Sequence, residues 1–407
     1  MDLSFNEVNR VAKKKMPDIE TDLFSCLQCG YCRNVCPAYE HFGWESNSPR
    51  GKLSAIRSYK QQFPIINKIF NEVKLGPEFF ERLYHCTSCG ACDEVCHVNI
   101  KLSHLWEEMK EWMIEEKGMK PKPAHRALYD RISDPDRRNP FYDEKDPKKD
   151  LLEKRGAWLP PDVKISDKPE VLFFAGCTSA YRLQPLAQAA VRLLSKANVP
   201  FAILGSDEWC CGSPLLRTGQ SDIVKKKIAR HNIDEIKKRG VSTVVTACAG
   251  CYNTIRGDYP KITGKLPFRI YHISVYLEKL IKEKKLTFSK EIKKKVTYHD
   301  PCHLGRHAGI FDAPRNIIKA IPGVTLVEME RNRSKSRCCG GGGGFRIGYT
   351  DISEDIAVDR VKEAKATGAE LIVTPCPFCV VNLNAGAKKA GIDIKTVDLG
   401  QFLMQAL

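Results

Sequence analysis

The sequence predicts a multidomain protein of mixed α+β and α/β class, in which a helical N-terminal domain precedes two tandem α/β half-domains. Three observations carry that reading. A five-cysteine constellation occurs twice, as Cys177, Cys210-Cys211 and Cys248-Ala-Gly-Cys251, then as Cys302, Cys338-Cys339 and Cys376-Pro-Phe-Cys379. In both copies 36 residues separate the cysteine pair from the C-x-x-C, and the period of about 125–128 residues marks duplication of a whole half-domain. Strand-like apolar runs alternate with amphipathic helical ones through both copies, as in an α/β layer. The expected divisions are 1–120, 121–168, 169–290 and 291–407.

Composition narrows the class. A chain of 407 residues has room for two or three domains and a sizeable core. The start, Met-Asp-Leu-Ser-Phe-Asn-Glu, lacks a basic region followed by an apolar one, so no secretory signal is expected. The longest apolar runs, such as Val171 to Ala175, are strand-sized, so no transmembrane segment is expected. Eighteen cysteines in a cytoplasmic chain point to metal ligands or redox groups, not disulfides. The formal charge of +16 does not imply nucleic acid, because cluster thiolates add negative charge and the lysines are spread over helix faces such as Lys225–Lys227 and Lys293–Lys295.

Taken in order, residues 1 to about 25 read as a helix and a Pro-containing link at Met16-Pro17-Asp18. Then comes Cys26-Leu-Gln-Cys29-Gly-Tyr-Cys32-Arg-Asn-Val-Cys36-Pro37, which resembles the cysteine run of bacterial ferredoxins. A second run, Cys86-Thr-Ser-Cys89-Gly-Ala-Cys92-Asp-Glu-Val-Cys96, has His97 where proline is usual. In such pairs the fourth cysteine ligates the other cluster. One cubane [4Fe–4S] cluster is therefore expected on Cys26, Cys29, Cys32 and Cys96, and another on Cys86, Cys89, Cys92 and Cys36. Zinc fits less well, since cysteines this close would crowd it and no histidine recurs at zinc-finger spacing. Gly30 and Gly90 let the backbone turn tightly around each cluster. Helices are expected over Gly51 to Phe63, Pro77 to Tyr84 and Leu102 to Glu116, the last with Leu105, Met109, Trp112 and Met113 on one face. The domain resembles the helical ferredoxin domain of the succinate-dehydrogenase type.

The charged stretch from about 118 to 168, punctuated by seven prolines, reads as a connection packed over the surface. In the first repeat, strands are expected at Val171 to Gly176, Phe201 to Leu204 and Thr243 to Ala247, with helices at Leu186 to Ala197 and Asp222 to Arg239. In the second, strands are expected at Val296 to His299, Leu326 to Met329 and Leu371 to Thr374, with a helix at Ile352 to Thr367. The cysteines fall where strands end, the edge at which open α/β sheets bind ligands. Cys248, Cys251, Cys376 and Cys379 also sit at helix starts, where exposed N–H groups favour a thiolate.

The doubled pattern Cys…Cys-Cys-Gly…Cys-x-x-Cys matches the CCG domain, and with the two ferredoxin-like runs ahead of it the chain resembles heterodisulfide reductase catalytic subunits of the D type. Iron–sulfur subunits of glycolate oxidase and anaerobic glycerol-3-phosphate dehydrogenase share the architecture. The resemblance implies two noncubane [4Fe–4S] clusters, one on Cys177, Cys210, Cys211, Cys248 and Cys251, the other on Cys302, Cys338, Cys339, Cys376 and Cys379. It further implies reduction of a small-molecule disulfide, the coenzyme M–coenzyme B heterodisulfide, to two thiols. Two cubanes would feed electrons in from a membrane cytochrome b partner or another donor, at the inner face of the membrane. The second reading is an electron relay for a flavin-dependent dehydrogenase of 2-hydroxy acids or glycerol 3-phosphate; a third is a zinc-clamped scaffold. Retention of both complete C-x-x-C motifs favours the first.

His299 and His303 flank Cys302 and are candidates for proton delivery, with His307 near; the bland alternative is a hydrogen bond to a cluster sulfur. The run Gly340 to Gly344 lacks the Gly-Lys-Ser/Thr ending of a phosphate loop, so Gly341 and Gly342 are read as an opening for substrate. Arg217, Arg306, Arg337 and Arg346 lie near cluster cysteines in the sequence, and Arg306 and Arg346 are the expected clamps for acidic groups on the substrate.

Overall fold

The computed structural model describes residues 15–61 and 74–407. Each repeat builds a four-stranded, wholly parallel sheet. The first comprises β1 (Val171–Phe174), β2 (Phe201–Ile203), β3 (Thr243–Thr246) and β4 (Arg269–His272), in the order β2-β1-β3-β4. The second comprises β5 (Lys294–Tyr298), β6 (Val324–Val327), β7 (Leu371–Thr374) and β8 (Lys395–Asp398), in the order β6-β5-β7-β8. Register is equivalent in the two, with Val171 opposite both Phe201 and Thr243, and Val296 opposite both Leu326 and Leu371.

The central strands are apolar on both faces because both are covered. Val171, Phe173 and Ala175 point into a core shared with the second repeat's Val296, Tyr298 and Val373, while Leu172 and Phe174 point into a separate core with Ile233, Ile236 and Ile255. The two repeats thus share one interior. The fourth strand of each sheet was not expected from sequence. Arg269-Ile-Tyr-His and Lys395-Thr-Val-Asp are edge strands, short and only partly buried, so neither forms the apolar run by which the central strands announce themselves.

The N-terminal domain is helical among its described residues. Its helices include Glu20–Ser25, Pro49–Lys60, Pro77–Tyr84 and Leu102–Glu115. Ser48 caps the second by accepting from the Gly51 N–H at 2.9 Å, with Pro49 at the first helical position. Leu105, Met109, Trp112 and Met113 are all buried against Leu53, Ile56 and Phe80. The expected helix before residue 15, and the end of the one expected to reach Phe63, lie outside the described residues.

The stretch from 121 to 168 enters the interior and does not merely cover the surface. Its helix Pro123–Ser133 buries His125, Leu128 and Ile132, and further along Asn139, Arg155 and Trp158 are also buried. Trp158 packs edge-on against Phe173 of β1.

The glycine loop locks the helical domain to the second repeat. A Cβ built on Gly343, at φ +65°, would lie 2.8 Å from the Thr87 carbonyl carbon. Gly343→Val is expected to lose about 1–3 kcal/mol of stability. Thermal unfolding checks this, with limited proteolysis reporting whether the two domains loosen first.

Candidate functional site

Both sheets present the C-terminal ends of their central strands to one cavity. In each sheet the chain passes from the first strand to one side and later returns on the other, leaving a crevice between the two central strands. Cys177 and Cys248 follow β1 and β3; Cys302 and Cys376 follow β5 and β7. The cavity is lined by nine of the ten repeat cysteines, Cys338 being the exception. The quintets face each other, and Cys248 and Cys376 adjoin across the boundary between repeats.

The Cys-Cys-Gly triplet has a geometric reason. Gly212 and Gly340 both adopt φ +83°, a left-handed conformation that an L side chain resists. Their N–H groups turn back to Cys210 Sγ at 3.4 Å and Cys338 Sγ at 3.3 Å. A Cβ on Gly212 would lie 2.7 Å from Val224, and one on Gly340 2.5 Å from the Ser353 carbonyl oxygen.

Thiols packed this closely divide into donors and acceptors. A hydrogen bond from Cys210 helps hold Cys211 down to about 6, whereas Cys376 is pushed up to about 12, chiefly by its contact with Cys248. Cys339 lies 3.4 Å from Cys379 and is held well below its ordinary value, first by Cys338.

The two quintets are supported differently. Behind the first, Arg155 donates to Cys177 Sγ at 3.4 Å. Its charge is balanced by buried Glu208, which also accepts from the Ala175 and Gly176 N–H groups at 2.9 and 2.8 Å. Neither Arg155 nor Glu208 was anticipated; the only hint was a carboxylate two residues before Cys210.

Behind the second quintet, His299 Nδ1 accepts from Arg360 Nε at 3.2 Å, which leaves Nε2 carrying the proton toward Cys339. Expected beside the substrate, His299 is instead 1% exposed and does not line the cavity. Its place is that of a ligand-orienting group. His303 does line the cavity, with Nδ1 3.5 Å from Cys302 Sγ. Burial, then the neighbouring His307 and Arg217, holds its pKa well below the ordinary value. Its ring stacks on His307, whose Nε2–H donates to the Ser88 carbonyl at 3.0 Å.

Gly341 and Gly342 line the cavity as expected, but neither Arg306 nor Arg346 does. Arg306 reaches back to the carbonyls of Cys89, Ser334 and Ser336, drawn by the polar groups between two cysteine sets. Arg346 bonds Asn382 and Glu354 on the flanking helices. Arg337 pairs with Glu40 and Asp359. Of the four arginines only Arg217 reaches the cavity; it is 4% exposed, and its terminal nitrogens are taken by Glu107 and Asp258. Its Nε is buried without a hydrogen-bond partner.

In the helical domain the two runs interlock. Cys26, Cys29, Cys32 and Cys96 surround a small cavity, in which Cys29 is exposed. Cys36, Cys86, Cys89 and Cys92 surround a second. The last cysteine of each run thus joins the first three of the other. The inner set touches the second quintet directly: Cys89, Cys302 and Cys338 form one buried cluster.

Comparison with known proteins now adds to this geometry. Residues 171–256 and 296–384 match the cysteine-rich CCG domain, and residues 22–100 the 4Fe-4S dicluster domain. The D-type subunit of the dihydromethanophenazine:CoB–CoM heterodisulfide reductase of Methanosarcina mazei is 40% identical, over 97% of this chain and 98% of its own. The chain belongs to the family of D-type heterodisulfide reductase subunits. The B-type subunit of the fumarate reductase (CoM/CoB) of Methanothermobacter marburgensis is 30% identical, over 94% of this chain and 72% of its own. A crystal structure of a hypothetical protein from Helicobacter pylori shares the fold, with TM-score 0.57 at 11% identity, over 88% of this chain and 67% of that one. The chain is thus an iron–sulfur oxidoreductase component that works with partner subunits, and none of its described helices is long and apolar enough to cross a membrane. The donor sets fit the family's cofactors: four thiols surround each small cavity, as a cubane requires, and the large one gathers sulfurs from two sets of five.

The interlocking separates two substitutions. Cys96→Ser is expected to abolish the paramagnetic signal of the outer centre and spare the inner one, and Cys36→Ser to do the reverse. Low-temperature spectra of the dithionite-reduced variants check this; loss of the second-run signal alone in Cys96→Ser would mean that each run keeps its own cluster.

Proposed function

We propose that this chain reduces a disulfide to two thiols in the cavity between its repeats. The substrate is the mixed disulfide of coenzyme M and coenzyme B, named for the Methanosarcina relative. One observation carries the reading: nine thiols from both quintets line a single cavity, with Cys248 and Cys376 in contact at the boundary. A relay needs one exit for electrons, whereas a disulfide has two sulfurs to receive them. The reaction is RS–SR′ + 2e⁻ + 2H⁺ → RSH + R′SH, and a noncubane [4Fe–4S] cluster on each quintet would supply single electrons and an open position for sulfur.

The protein's own groups have separable tasks. The glycine loop lets the substrate approach along backbone at Gly341 and Gly342. His303 lies beside Cys302 at the cavity wall and, neutral there, relays protons to the product sulfurs in this reading, accepting each one before passing it on. His299 orients Cys339 from behind. Residues 1–120 carry the two cubanes, on Cys26, Cys29, Cys32 and Cys96 and on Cys36, Cys86, Cys89 and Cys92; 121–168 ties that domain to the half-domains 169–290 and 291–407. Electrons enter from a membrane cytochrome b partner or another donor on the cytoplasmic side.

Anaerobically prepared chain, given reduced viologen and the heterodisulfide, is expected to oxidise two viologens per disulfide consumed. His303→Gln should lower kcat by about 10²-fold or more with little change in KM. A chain that carries its full iron yet leaves the disulfide intact would be a relay for another component of its complex.

A further inference from the structure

Two lysines lie in the interior of the helical domain, Lys52 at 1% and Lys110 at 0% exposure. Lys52 Nζ donates to the His85 carbonyl at 3.1 Å and lies 5.9 Å from the Trp106 ring centre. Lys110 Nζ donates to the Arg217 carbonyl at 2.7 Å and lies 5.4 Å from the Tyr84 ring centre. Among the described residues neither ammonium forms an ion pair with a carboxylate. The nearby carboxylates are otherwise engaged: Glu107 bonds Arg217, and Asp93 accepts from the Ser103 N–H and hydroxyl. Arg306 is a third such cation. It bonds three carbonyls, pairs with no carboxylate among the described residues, and buries Nη2 without a partner.

Buried charge left uncompensated is costly enough that an opposite charge must lie close. The groups these cations share are sulfurs of the inner set. Lys52 lines the inner cavity, Arg306 Nε donates to the Cys89 carbonyl at 2.7 Å, and Lys110 lies one helical turn beyond Trp106, which lines the same cavity. The outer set is arranged otherwise. Cys29 is exposed, and Arg50 on that cavity is paired with Glu45 at 2.7 Å. Water and a carboxylate therefore screen what positive charge there is.

We propose that Lys52, Lys110 and Arg306 are the counter-cations of a [4Fe–4S] centre on Cys36, Cys86, Cys89 and Cys92, and that they hold its reduction potential above that of the outer centre. This rests on the ligand set proposed above. Reduction adds one electron's charge to the inner centre, and a fixed cation in a low-dielectric interior stabilises that charge far more than one in water. An electron arriving at the exposed outer set therefore moves energetically downhill to the inner one, beside Cys338 of the second quintet.

Redox titration of the anaerobically prepared whole chain, followed by electron paramagnetic resonance, tests this. In the unmodified chain the inner centre is expected to be reduced first. Lys52→Met and Lys110→Met each remove a charge while keeping a long unbranched side chain. At the unmodified inner midpoint each is expected to lower the reduced-to-oxidised ratio of that centre about tenfold, a shift of about 59 mV for a one-electron couple, with the outer midpoint unmoved. Arg306→Gln removes the third charge from outside the helical core and carries the same expectation, so it decides the matter if a lysine variant fails to fold. An inner signal present at an unchanged midpoint, or both midpoints moving together, overturns the tuning role. Absence of any inner signal that Cys36→Ser removes overturns the ligand set instead.

Discussion

Sulfur lone pairs and thiolate charge, crowded into a dry interior, are the constraint on which this structure depends. All ten repeat cysteines are buried, and a thiol is easier to bury than the thiolate that a metal ligand must become. The fold answers with backbone donors. The N–H groups of Gly212 and Gly340 turn onto their own cysteine pairs, and in the helices that begin just after Cys248 and Cys376 the N–H groups of Cys251 and Cys379 turn back onto those two sulfurs. Parallel sheets supply these positions twice over, because each central strand ends in a turn beside a topological crevice.

Duplication did not make the halves alike. The first quintet is backed by a full cation, Arg155, compensated by Glu208, and both come from outside the cysteine motif. The second is backed by an imidazole that Arg360 holds in one tautomer, and it touches the inner set of the helical domain through Cys338. Sulfur contacts with the helical domain thus fall on one quintet of a nearly symmetric cavity. The helical domain grips the first repeat at Arg217 through Glu107 and Lys110, but among the described residues its thiols meet only the second quintet, and the two quintets adjoin at Cys248 and Cys376.

Much of this was legible in the sequence, and for identifiable reasons. Cysteine spacing is rigid information, since a ligand set tolerates no slippage, so the five-membered constellations and the two interlocking runs could be read directly. The four central strands, and the edge strands β2 and β6 beside them, showed themselves by apolar runs. β4 and β8 did not, because these edge strands, Arg269-Ile-Tyr-His and Lys395-Thr-Val-Asp, are at least half polar and only partly buried. The arginines misled for a different reason. Proximity in sequence to Cys302 or Cys339 says little about which way a long side chain turns, and Arg306 and Arg346 turn away from the cavity to carbonyls and side chains of neighbouring segments. Arg155 and the two interior lysines sit far from the cysteines they serve, and no period marks them.

The helix Leu102–Glu115 holds the cavity wall from behind. Its Glu107 grips the Arg217 side chain, and one turn later Lys110 grips the Arg217 backbone. That arrangement bears on biogenesis. Translation delivers the helical domain well before β8, the last strand, and domains tend to fold in the order in which they emerge. The scaffold against which Arg217 must settle is therefore waiting when the first repeat leaves the ribosome.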